Sequence, residues 1–152
     1  MQTPTLIHVA DLRIDFGLPV TIAETANGLR RVIPILGGRI RGTRLSGKII
    51  AAGADNQLIC LDGLTKLDAR CFAELDDGSI LYIVNTGVRY RSLELASLDA
   101  GEDPSDADAA YFRTVPTFET VSERHAWLTR PLFIGSGVRR PTQIEIGIFA
   151  VK

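Results

Sequence analysis

Apolar positions recur with a period of two along most of the chain. Leu6, His8, Ala10, Leu12, Ile14 and Phe16 alternate with Ile7, Val9, Asp11, Arg13 and Asp15. Successive side chains of a strand point to opposite faces, so this predicts a long strand over Leu6–Phe16 with one face committed to a core towards its C-terminal end. Gly17 to Pro19 end it. Ala26-Asn27-Gly28 predicts a hairpin turn, because Asn-Gly accepts the positive φ angles of primed turns. A strand over Leu29–Leu36 follows, with Pro34 at an edge, bulge or kink since proline offers no ladder donor. Gly37-Gly38 predicts another turn. Asp62-Gly63 separates strands over Gln57–Leu61 and Leu64–Leu75, and Asp76-Asp77-Gly78 leads into Ser79–Val88. Tyr111–Phe118, Pro131–Val138 and Thr142–Val151 complete about ten short strands.

Turn signals this regular predict an all-β protein, an antiparallel sandwich or barrel, in one domain over residues 1–152. Glycines inside strand patterns, among them Gly42, Gly47, Gly87, Gly135, Gly137 and Gly147, suit the bends that curve a sheet into a closed barrel. One segment departs from the pattern. Ser122–Thr129 predicts a short helix, with Ser122 as N-cap and Glu123 in its first turn. Ala100–Ala110 reads as a polar, acidic loop.

Composition narrows the class. A chain of 152 residues can bury an independent core. Its longest apolar run, Ile80–Val84, is far too short for a membrane helix, and no secretory signal opens the chain, so a cytoplasmic protein is expected. Seventeen basic residues against 18 acidic ones argue against a nucleic-acid binder. The charges are unevenly placed. Arg30, Arg31, Arg39, Arg41, Arg44 and Lys48 form a run without acids, and Asp99, Glu102, Asp103, Asp106 and Asp108 one without bases. The plain reading is a solvated face and a solvated loop. The sharper one is an anion-binding lumen mouth or a charge-complementary dimer contact. Cys60 and Cys71 read as free thiols, Cys71 within the apolar set of its strand.

Signature motifs are missing: no P-loop, no GxGxxG after a strand, no GxSxG elbow, no CxxC. His8 and His125 are the only histidines, and their spacing supports no metal site. His8 reads as a core-edge histidine, with pocket base as the alternative. Leu64–Leu75 carries the densest chemistry. Lys66, Asp68, Arg70, Phe72 and Glu74 share one face; Thr65, Leu67, Ala69, Cys71, Ala73 and Leu75 share the other. If the charged face points in, Asp68 and Arg70 line a polar lumen. If the apolar face points in, they form a solvated pair. Tyr111 and Arg113 share a face of their strand. Trp127 sits on the helix, placed to plug or lid a barrel end. Asp55 and Gln57 follow the turn at Gly53.

An ordered series of fragments carries a resemblance. Arg31-Val-Ile-Pro-Ile-Leu-Gly-Gly38 runs into Gly42-Thr-Arg-Leu-Ser-Gly-Lys48, then Gly53-Ala-Asp-Asn-Gln57, Asp68-Ala-Arg70 and Asp76-Asp-Gly78. Tyr111-Phe-Arg113, Pro116-Thr-Phe118-Glu-Thr120 and Ala126-Trp-Leu128 follow. From about Leu6 to Val151 the chain resembles the domain-of-unknown-function 3237 family, also called uncharacterised protein family 0311. The resemblance implies a lipocalin-like barrel, cytoplasmic and often dimeric. It also implies cofactor-free isomerisation, cyclisation or lyase chemistry on aromatic or polyketide-like small molecules. It places Asp55, Gln57, Asp68, Arg70, Arg113 and Trp127 towards the lumen. The chain departs from the family pattern at Asn56, His125 and Thr129.

Three readings follow. In the first, an enzyme, Asp55 or Asp68 acts as general acid or base. Arg70 and Arg113 stabilise a developing enolate or phenolate, and Phe72, Tyr111 and Trp127 supply apolar walls. No cofactor, metal, nucleic acid or membrane is expected; a lumen ligand and a homodimer are. In the second, the same barrel carries a ligand without changing it. In the third, side chains fill the lumen and the domain is an interaction module.

Overall fold

The computed structural model describes residues 1–91 and 110–152. The predicted acidic loop lies outside the described residues except for Ala110, which opens a strand. Nine strands are present: β1 (Leu6–Phe16), β2 (Val20–Thr25), β3 (Gly28–Arg41), β4 (Gly47–Ile59), β5 (Thr65–Leu75), β6 (Ile80–Arg91), β7 (Ala110–Glu119), β8 (Phe133–Arg139) and β9 (Gln143–Val151). Each pairs antiparallel with its neighbours in the order β1-β9-β8-β7-β6-β5-β4-β3-β2, and β1 also pairs with β3. That last pairing closes eight strands into a barrel and leaves β2 outside it, on the edge of β3. An eight-stranded barrel has an interior just wide enough for side chains or one small ligand.

Closure depends on β3 changing partner midway. Its first half pairs with β2, Val20 opposite Val32, and its second half with β1, from Phe16 opposite Ile35 to Asp11 opposite Arg41. The Gly37-Gly38 pair, expected to turn the chain, lies instead within one continuous strand. Both residues have positive φ, +139° and +147°, and the register shifts there against β1 and β4. The bulge bends the strand without ending it. The hairpin turns at Asn27-Gly28, Asp62-Gly63 and Asp76-Asp77-Gly78 are where the sequence placed them.

The inward positions alternate as expected. Ala10, Leu12 and Ile14 of β1, Leu67, Cys71, Ala73 and Leu75 of β5, and Leu81 and Ile83 of β6 are buried in one core. Burial pushes the Cys71 thiol up to about 11, so it stays protonated and serves as a small apolar side chain. His8 does not join this core. The register slips at Val9, which takes the packed position and leaves His8 exposed, its Nε2 2.9 Å from Asp11 Oδ1.

The predicted helix is a 3-10 helix, Glu123–Thr129, which packs Leu128 against one end of the barrel. Its tie to the β5–β6 hairpin is polar. Nε2 of buried His125 lies 2.8 Å from Asp77 Oδ2, and the Ser79 backbone N–H donates to Asp77 Oδ1 at 3.0 Å. An ionised Asp77 only accepts, so Nε2 carries the proton. The Ser79 bonds, then His125, hold the Asp77 carboxyl down at about 2. A lowered carboxyl pKa gives stability that is full above the unfolded value of 3.8 and is lost as pH falls towards about 2. Asp77→Ala is therefore expected to melt earlier than wild type at pH 7. It should also lose less of its stability between pH 4 and pH 2. Thermal melts across that range check both; equal acid sensitivity would remove Asp77 from the tie.

Candidate functional site

Burial tells the two faces of β5 apart. Thr65, Leu67, Cys71, Ala73 and Leu75 are buried in the barrel. Lys66, Asp68, Arg70, Phe72 and Glu74 are therefore on the outside. Arg70 Nε donates to Asp68 Oδ1 at 3.1 Å in solvent, and Phe72 packs on Tyr82 at 4.9 Å on the outer wall. β7 is turned the same way. Phe112, Thr114, Pro116 and Phe118 point in, while Tyr111 stacks on Tyr90 outside at 4.8 Å with the Arg113 guanidinium 5.2 Å from its ring. Asp68, Arg70, Phe72, Tyr111 and Arg113 thus do not line the lumen. A continuous apolar core requires the opposite faces of their strands to face inward. Trp127 is half-buried at the helix-covered end, with Arg44 stacked 4.2 Å over its ring. It packs against the core there and does not line the slot that holds Asp55.

Asp55 and Gln57 do point inward, at 6% and 1% exposure. They are successive inward residues of β4, opposite Ile33 and Arg31 of β3. Their hydrogen bonds run in one direction. Arg31 donates twice to Gln57 Oε1, from Nε at 3.1 Å and Nη2 at 2.6 Å. Gln57 Nε2 then donates to Asp55 Oδ2 at 2.6 Å, and the Asp68 backbone N–H donates to Asp55 Oδ1 at 3.0 Å. The arginine fixes which end of the Gln57 amide faces Asp55, since guanidinium only donates. Burial raises the Asp55 pKa; the bonds from Gln57 and Asp68 and the charge of Arg89 oppose it without cancelling it.

Two further polar groups share the cavity. Asn85 of β6 and Thr114 of β7 line it with Asp55, among Leu12, Ile14, Ile33 and Ile83. Asn85 Oδ1 and Thr114 Oγ1 are buried and have no hydrogen-bond partner among the described residues. Buried polar atoms are nearly always paired, so two orphans in one cavity call for a hydrogen-bonding guest, a water or a ligand group. The cavity has a free volume of only about 30 Å³. It is a narrow slot. Phe112 narrows it, seated where β8 has glycine; a Cβ on Gly137 would come within 2.9 Å of the ring.

Three arginines stand on inward registers at the mouth, beyond the residues that line the slot: Arg31 of β3 opposite Gln57, Arg89 of β6 opposite Thr65, and Arg139 of β8 opposite Ile144. Burial first, then Arg139 and Arg31, push Arg89 down to about 10. Burial and Arg31 lower Arg139, which stacks 4.8 Å over the Phe16 ring. The signal for them was present in the alternation. Arg31 shares its face with Ile33 and Ile35, Arg89 with Leu81 and Ile83, and Arg139 with Phe133.

A wider cleft lies at the helix-covered end, lined by Arg44, Asp76, Asp77, Arg124 and His125, with room of about 250 Å³. Its charges answer one another, Arg124 to Asp77 at 3.7 Å and His125 to Asp77. The lumen is smaller, but two of the three buried polar atoms without a partner among the described residues lie in it beside a buried carboxylate, the third being His125 Nδ1 at the cleft, and it is the candidate site. Among the described residues no group of three or more His, Cys, Asp or Glu could hold a metal ion, and no helix is long and apolar enough to cross a membrane.

The fold and this lumen define a closed antiparallel β-barrel around a narrow, mainly apolar slot that holds a few polar groups. The chain belongs to the family described as protein of unknown function, DUF3237, whose model matches residues 4–151. A UPF0311 protein of Rhodopseudomonas palustris is 40% identical over 99% of both chains. A β-barrel-like protein of Acinetobacter baumannii superposes with a TM-score of 0.89 at 31% identity, covering 100% of this chain and 98% of that one. A structure described as an enzyme from Penicillium herquei shares the fold with a TM-score of 0.73 at 16% identity, covering 100% of this chain and 97% of that one.

Proposed function

We propose that the lumen binds a small aromatic or polyketide-like molecule and moves a proton on it, as an isomerase, cyclase or lyase acting without a cofactor. The observation that carries this is the pair of orphaned polar atoms, Asn85 Oδ1 and Thr114 Oγ1, in the same apolar slot as the Asp55 carboxylate. A carboxylate with a raised pKa takes a proton from carbon or oxygen more readily than a solvated one, and returns it from the same shielded place. In an isomerisation Asp55 removes a proton beside a carbonyl and delivers it to another atom of the same molecule, so nothing is gained or lost. Asn85 and Thr114 hydrogen-bond the polar edge of the substrate, and Gln57 holds Asp55 in place. The enzyme neighbour from Penicillium herquei is compatible with catalysis on this fold but assigns none to this chain.

Native mass spectrometry of freshly purified protein tests the reading. The expected result is an added small mass that disappears on denaturation and is absent from Ala69→Leu, since Ala69 lines the slot and a leucine there fills it. Wild type is expected to change the released molecule and Asp55→Asn to bind it unchanged. A clean apo mass in both proteins would overturn the lumen reading. A bound molecule that wild type never alters would make the barrel a carrier.

A further inference from the structure

Proton transfer at Asp55 gives Arg31 a part in holding Gln57 but leaves Arg89 and Arg139 at the mouth without a role. Arg89 lies four residues beyond Asn85 on β6, about 13 Å along the strand at about 3.3 Å per residue. Arg31 is held by Gln57, and Arg139 rests on Phe16. Arg89 and Arg139 form no ion pair and donate no hydrogen bond among the described residues. The one carboxylate acting on them is Asp55, whose oxygens already accept from Gln57 and the Asp68 N–H. Three cations against one anion, partly withdrawn from water, is an unfavourable arrangement in an empty barrel. It becomes favourable when an anion arrives, and the planar guanidinium fork suits a carboxylate.

We infer that the ligand of the proposed site is a flat organic acid. Its carboxylate is held at the mouth by Arg89 and Arg139, and its apolar body enters the slot towards Asp55. This rests on the lumen reading and adds the charge and the orientation of the molecule. The arginines bind a charge the ligand already carries. The reacting proton is handled deeper in the lumen, so binding and chemistry use different residues.

Benzoate and benzamide test it, since they share a flat ring and differ in charge. Titration by NMR in low salt is expected to show benzoate binding wild type at least about tenfold tighter than benzamide, with the preference fading as salt rises. Arg89→Gln and Arg139→Gln should each bring the ratio towards one by weakening benzoate alone, and Arg89→Lys should keep part of it. Ala69→Leu should weaken both ligands. Equal affinities in wild type would overturn the anion inference and leave the lumen reading standing. A benzoate preference that survives Ala69→Leu while benzamide binding is lost would also overturn it, because charge and ring would then not share one site. Wild type binding neither ligand would overturn both.

Discussion

Phe133→Ala is expected to lower the stability of the barrel by about 3–5 kcal/mol, the range for truncating a fully buried aromatic. Phe133 is 1% exposed, opens β8 with its ring inward, and meets Phe118 edge-to-face with centroids 5.0 Å apart. Both rings sit among the rigid residues of the barrel core, which cannot collapse into the hole without breaking ladder hydrogen bonds. For a chain of this length the loss corresponds to a melting temperature lower by about 10 °C. Urea unfolding measures it directly. A change below about 1 kcal/mol would mean that this end of the barrel repacks and is not a rigid plug. Benzoate titration of the same variant is expected to be unchanged, because Phe133 and Arg139 stand at opposite ends of β8.

Asp55→Asn is expected to reduce turnover of the released ligand by about 10²–10⁴-fold, the usual contribution of a positioned acid or base. It also has a signature that needs no substrate. A carboxyl whose folded pKa lies above its unfolded value of 3.8 binds more protons in the folded state across the interval between the two. Wild type therefore loses stability through this group as pH rises across that interval, and the cost is constant above it. The amide that replaces the carboxyl in the variant does not titrate. The stability of wild type minus that of the variant should then be larger at pH 3.5 than at pH 7. Asp77 and the other acids are common to both proteins and drop out of the difference. A difference independent of pH, or one that grows with pH, would mean that Asp55 is not held with a raised pKa, and the general-base role would fail with it. The variant also faces a local conflict. Gln57 Nε2 and the Asp68 N–H both donate to Asp55, and an amide can accept only through its oxygen.

Much of the architecture was legible in the sequence. The period of two in β1 and β5 marked their buried faces, and the Asn-Gly and Asp-Gly pairs marked three of the turns. The exit of β2 from the barrel was not, because β2 is six exposed residues with no buried face to generate a pattern. Nor was the passage of β3 through Gly37-Gly38, since two glycines look alike in a turn and in a bulge. Of the site, Asp55 and Gln57 were found. Asp68, Arg70 and Arg113 drew attention because their charges cluster locally, yet local clustering of charge along alternate positions is what a solvated strand face looks like. Arg89 and Arg139 are not singled out by the sequence, and Arg31 only within a basic run that could form an anion-binding mouth, for the converse reason. Each stands alone in an otherwise apolar register on a different strand, and only closure of the sheet brings Arg31, Arg89 and Arg139 to one opening. An arginine out of keeping with its own face was the stronger clue.

The seam of the barrel has a kinetic meaning. Leu6 pairs with Val151, and the Thr5 and Lys152 backbones exchange hydrogen bonds at 2.8 and 2.9 Å. The sheet can therefore grow hairpin by hairpin from β3 to β9, but the slot does not exist until the first strand meets the last. Loop closure over that separation makes the final step slow, and two bare strand edges stay open to other chains until it is taken. The proposed site is a property of the completed cylinder and of none of its intermediates.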